Sequence, residues 1–162
     1  MSGQARVWGG DHAGRIAARD EEPGLLAPRI LVVDSDNLHR MIICRAADRA
    51  GYVPAGAANF IEAATLAQTT AFDCITLDAA LCQKTGGEVL RHLAAIGYEA
   101  PLLLVGNRHE TACREALRLA RSLGLDVGEP LSKPVDVGML RYALDQLKVH
   151  RALRNGLAAV EA

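Results

Sequence analysis

The feature that most constrains this chain is a regular alternation of short apolar runs, each of strand length, with longer stretches whose apolar residues recur at helical spacing. The first run, Ile30-Leu31-Val32-Val33, is continuous rather than alternating, the pattern of a strand covered on both faces. Residues 53–57, 73–77, 101–105 and 126–131 read as further strands, the first of these short and weak and the last less apolar. Helices fall between them. One carries Leu38, Met41, Ile42, Arg45, Ala46 and Arg49 on a stripe that Gly51 ends as a cap, and a second starts at Asn59 and runs through Ile61, Ala64, Leu66 and Ala67. A third spans residues 86–96, a fourth residues 110–123 before Gly124, and a last one begins after Pro134 with Val137, Leu140, Leu144 and Leu147 as its packing stripe. Five strands alternating with five helices predict an α/β fold, a doubly wound five-stranded parallel sheet with right-handed crossovers and helices on both faces.

At 162 residues the chain accommodates one domain with a real core, and tails. Residues 1–28, rich in Gly, Ala and charge and ending in Glu22-Pro23-Gly24 and Pro28, read as a flexible N-terminal arm. Residues 29–148 form the domain, and residues 149–162 extend the last helix or fray. Leu153, Leu157 and Val160 would continue the helical stripe although Gly156 weakens it, and such an extension could pair with a copy of itself or with a partner. A net charge of −1 gives no reason to expect nucleic acid or an anionic membrane surface as a partner, and the apolar runs are too short to span a bilayer. The N-terminus lacks the apolar core of a secretory signal, so a soluble cytoplasmic protein is expected. The four cysteines, Cys44, Cys74, Cys82 and Cys113, have no metal-ligand spacing and are read as reduced.

In a doubly wound sheet, chemistry collects at the carboxyl ends of the strands. The residues closing the strands are Asp34-Ser35-Asp36, Asp78, Gly106-Asn107 and Lys133-Pro134. Carboxylates gathered on one rim repel each other and require a cation or a lysine to compensate them. Oxygen ligands with open coordination suit Mg²⁺, a lysine supplies a compact charge for a phosphoryl oxygen, and a carboxylate can itself take a phosphoryl group.

With those residues in place, the stretch from Ile30 to about Leu147 resembles the receiver domain of bacterial two-component response regulators. The matching pieces are Ile30-Leu31-Val32-Val33-Asp34-Ser35-Asp36, Phe72 to Asp78, Gly86-Gly87-Glu88-Val89-Leu90, Pro101 to Val105 and Leu131-Ser132-Lys133-Pro134. The resemblance implies a flavodoxin-like sheet of strand order 2-1-3-4-5. It also implies Asp78 as phosphoacceptor, Lys133 as its phosphate contact, and a Mg²⁺ site built from Asp34, Asp78 and the backbone carbonyl of Ala80. Its partners would be a histidine kinase or histidine phosphotransfer protein and a downstream protein, with a homodimer as a further option.

Four positions depart from the family pattern. Ser35 stands where a second acid is usual, so a charged metal ligand becomes a hydroxyl. Gly106 replaces the Ser or Thr that hydrogen-bonds the phosphoryl group, Pro130 replaces the aromatic switch residue, and Cys82 replaces a loop proline. Asp36 reads as a helix N-cap. His39, His92, His109 and His150 read as surface residues, with His109 nearest the rim, and the arginine-rich helix faces as solvated. Two functions fit: a stand-alone receiver phosphorylated on Asp78, or a pseudo-receiver serving as a phosphorylation-independent binding or dimerisation module. In either case the output comes from a partner or from a domain outside this chain. A small enzyme or nucleotide binder of similar fold is disfavoured, because the first strand leads into acids rather than a Gly-rich loop.

Overall fold

The computed structural model describes residues 26–85 and 87–161. Strands β1 (Arg29–Val33), β2 (Val53–Ala57), β3 (Cys74–Asp78) and β4 (Leu102–Val105) form one parallel sheet of order β2-β1-β3-β4. The helices are α1 (Asn37–Arg49), α2 (Phe60–Thr69), α3 (Ala79–Lys84), α4 (Glu88–Ala95), α5 (Thr111–Ser122) and α6 (Val137–Glu161). Every residue of β2, β3 and β4 is buried, as continuous apolar runs require of a sheet covered twice. Alternate strand residues feed two cores. Ile30, Val32, Leu103 and Val105 pack with α1 and α6, whereas Leu31, Val33, Ile75 and Leu104 pack with α2, α4 and α5.

The expected fifth strand is not part of the sheet. Its segment touches β4 at two isolated bridges, Leu102 to Val127 and Val105 to Leu131, so three steps along β4 face four along the segment. That extra residue makes a bulge, and Pro130 inside it has no N–H to continue the ladder. The helix expected over residues 86–96 is α4, but α3 precedes it directly after β3, where a loop was expected. Residue 86 lies outside the described residues, as does the proposed arm through residue 25.

Helix α1 is also rotated relative to the stripe predicted for it. Its buried residues are Ile43, Cys44, Ala46 and Ala47, while Leu38 is 62% exposed. Small Ala and Cys side chains let the helix approach the sheet closely, so bulk was a poor guide to the inward face. Asp36 caps α1 as expected, its Oδ1 accepting the His39 N–H at 2.9 Å, and Gly51 follows the helix at φ 90°. The chain from 149 onward continues α6 to Glu161. The middle of α6 is tied to the sheet's opposite edge: the Tyr52 hydroxyl donates to the Leu144 carbonyl at 2.8 Å, and Arg151 pairs with Asp73 at 2.9 Å. No helix of the described residues is long and apolar enough to cross a membrane.

Tyr52→Phe removes the buried bond to α6 and is expected to lower the unfolding free energy by about 1 kcal/mol in denaturant titrations. All four cysteines are free and buried. Burial pushes Cys44 from an ordinary 9.0 up to about 12 and Cys82 up to about 11. A thiol reagent at neutral pH should leave the folded protein unmodified and label it after unfolding. Because these thiols hold their protons more tightly in the folded state, their contribution to stability is full below pH 9.0 and falls as pH rises toward about 11 and 12. Denaturant midpoints compared across that window measure the loss.

Candidate functional site

Register builds the site. Val33 lies opposite Leu77 and Asp78 opposite Val105, so Asp34 and Asp78 stand abreast at the carboxyl edge of the sheet, with Gly106 one residue beyond the end of β4. Lys133 arrives two residues beyond the bridge at Leu131, and its backbone N–H donates to Asn107 Oδ1 at 3.3 Å. The sheet thus brings together Asp34, Asp78 and Lys133, residues almost a hundred positions apart in the chain.

Asp34 is 1% exposed and Asp78 4%. Buried carboxylates require donors or a compensating cation, and here three of the four oxygens have a hydrogen-bond partner while Asp78 Oδ1 has only the Lys133 ammonium. Asp78 Oδ1 lies 2.5 Å from Lys133 Nζ, and Oδ2 accepts the Leu81 N–H at 3.3 Å. Asp34 Oδ1 accepts the Asp36 N–H at 2.9 Å, and Oδ2 shares a hydrogen bond with His39 Nδ1. The Arg40 guanidinium donates to the Asp34 carbonyl at 2.6 Å, fixing the loop between β1 and α1 from its other side. The Lys133–Pro134 peptide is cis.

The other anticipated residues fall elsewhere. Ser35 is exposed on the β1–α1 loop. Ala80 is exposed in the first turn of α3, where helical geometry directs its carbonyl along the helix, away from Asp78. Gly106 is buried, and a Cβ there would meet the Ala79 Cβ at 3.0 Å and the Cys113 Cβ at 3.6 Å. A side chain starting at 106 would therefore press on the beginning of α3, which would have to give by a few tenths of an ångström. Pro130 lines a cleft with Arg108, Arg114 and Leu117. Cys82 is buried within α3.

His39, expected at an exposed or half-exposed helix position and given no role at the site, is half-buried, with its side chain 15% exposed and lying against Asp34. The available signal was spacing: His39 is three residues past the N-cap Asp36, a position whose side chain can turn back toward the preceding strand end. His109 is exposed, and half-buried His92 packs edge-on against Phe60 at 5.9 Å. Among the described residues no group of three His, Cys, Asp or Glu side chains is placed to hold a metal.

The family model for the response regulator receiver domain matches residues 30–145. Among solved structures, a response regulator from Colwellia psychrerythraea is 24% identical, with a TM-score of 0.62, covering 76% of this chain and 98% of its own. A signal receiver domain from Bermanella marisrubri is 27% identical, with a TM-score of 0.60, covering 74% of this chain and 96% of its own. A Burkholderia pseudomallei response regulator, solved with a phosphorylated aspartic acid, calcium ion and citrate, is 26% identical with a TM-score of 0.58, covering 79% of this chain and 75% of its own. No curated protein matches the chain.

Lys133→Ala strands the buried Asp78 carboxylate and is expected to cost about 2 kcal/mol of stability. Asp78→Asn added to it should recover part of that loss. A double-mutant cycle by chemical denaturation measures the coupling.

Proposed function

The chain belongs to the response regulator receiver-domain family, and we propose that it acts in two-component signalling as a pseudo-receiver, presenting its surface to a partner protein without taking a phosphoryl group on Asp78. Receiver domains are generally non-enzymatic signalling modules, and their family implies contact with kinases or downstream effectors. The observation that carries this reading is the occupation of the acid pair by protein groups: the Asp36 N–H and His39 Nδ1 lie on the two oxygens of Asp34, the Leu81 N–H on Asp78 Oδ2, and Lys133 forms an ion pair with Asp78 Oδ1.

Phosphoryl transfer depends on positioning and on neutralising charge spread over the transferring oxygens. Of the groups the family uses for this, the chain retains Lys133. Gly106 offers no hydroxyl, and Ala79 fills the volume beside it. Pro130, in its bulge, has neither the ring nor the backbone donor that a coupled switch would use. What persists is a stable α/β body whose fixed ion pair no longer needs to be made and broken.

The retained Asp78–Lys133 pair favours a second reading, in which Asp78 accepts a phosphoryl group from a histidine kinase or phosphotransfer protein. In that step an Asp78 carboxylate oxygen forms the new bond to phosphorus as the bond to the donor's leaving group breaks.

Incubation with acetyl phosphate and Mg²⁺, followed by intact-mass measurement, separates the two. The pseudo-receiver reading expects no base-labile phosphoryl adduct. An adduct that disappears in Asp78→Asn establishes the second reading and overturns the first.

A further inference from the structure

Receiver domains generally bind Mg²⁺ at the phosphorylation site. We infer that in this chain His39 closes that site to divalent cations, its ring standing on the Asp34 oxygen that a metal would need. The inference rests on reading Asp34 and Asp78 as a receiver's acid pair.

Mg²⁺ takes near-octahedral oxygen coordination at about 2.0–2.1 Å and keeps several waters, so a protein carboxylate must turn at least one oxygen toward open space. Both oxygens of Asp34 already carry a protein hydrogen bond, and a ring stands over one of them: Oδ1 is held by the Asp36 N–H, and Oδ2 by His39 Nδ1. The histidine is not a loose side chain that a cation would push aside. It projects from the first turn of α1, which Asp36 caps, and its other ring nitrogen, Nε2, is buried without a hydrogen-bond partner. Because Nε2 has no partner, the bond between Nδ1 and Asp34 is the polar contact that orients the ring. The neighbouring residue closes the other side: Arg40 reaches the Asp34 carbonyl and the Asn37 side chain, and its aliphatic stem lies against Gly56, where an added Cβ would come within 3.1 Å.

Ser35 contributes differently. It is exposed and supplies no charge, so the second acid usual in the family is missing whether or not His39 is present. The inference separates the two effects: restoring an acid at 35 is insufficient while His39 stands on Asp34.

Binding of Mn²⁺, followed by electron paramagnetic resonance with no phosphodonor present, tests this on the full chain. The unchanged protein and Ser35→Asp are expected to bind no Mn²⁺, and Ser35→Asp with His39→Ala is expected to gain a site that adding Asp34→Asn abolishes. His39→Val, whose shorter side chain does not reach the Asp34 oxygen, replaces His39→Ala if circular dichroism shows that the alanine variant is unfolded, and the same gain is expected. Binding by the unchanged protein or by Ser35→Asp alone that is lost in Asp34→Asn overturns the inference, as does the absence of a gain in a folded double variant. Cation binding by the unchanged chain would leave the phosphorylation result untouched, and an adduct on Asp78 would overturn the pseudo-receiver reading while leaving the Mn²⁺ result to stand by itself.

Discussion

Two carboxylates, Asp34 and Asp78, are buried side by side where adjacent parallel strands end, and the loops around them are shaped by the need to satisfy them. A buried carboxylate without donors is too unfavourable to persist in its charged form. Each of the surrounding connections therefore supplies one. The β1–α1 loop gives the Asp36 N–H and His39, the start of α3 gives the Leu81 N–H, and the segment beyond the bulge gives Lys133. Lys133 is 32% exposed at its side chain, which lets its charge stay partly hydrated while it reaches a carboxylate that is not.

The Leu81 N–H on Asp78 and the absence of a side chain at 106 share one structural origin on the β3 side. Helix α3 begins immediately after Asp78, which caps it, and this brings Ala79 against the end of β4. With Ala79 there, a Cβ at 106 would come within 3.0 Å of it, a contact that glycine avoids. Gly106 and the early helix are therefore a matched pair, and Ala80 is carried into the helix with them.

At the far edge, the bulge between Val127 and Leu131 leaves β4 paired at two points, yet Lys133 still reaches the rim because Leu131 receives and returns backbone bonds there: its N–H donates to the Leu104 carbonyl and its carbonyl accepts the Gly106 N–H, both at 2.8 Å. Helix α6 then crosses back under the sheet, held by Tyr52 and by Arg151 on Asp73, whose other oxygen accepts the Arg29 N–H at 2.8 Å at the start of β1. The long last helix thus links the two ends of the strands it covers.

The sequence by itself determined the parallel α/β plan and the meeting of Asp34, Asp78 and Lys133. Continuous runs such as Ile30-Leu31-Val32-Val33 can be buried only in a sheet covered on both faces, and such a sheet aligns its strand ends on one rim. It also located the caps Asp36 and Asn59, because capping is a local bond between neighbours in the chain. Tertiary structure alone decided the rest. The bulge at Pro130 depends on the count of residues facing β4, the inward face of α1 on how closely small side chains approach the sheet, and the placing of His39 on Asp34 on the angle at which α1 leaves β1. Each of these is set by contacts between segments, which the order of residues along the chain does not encode locally.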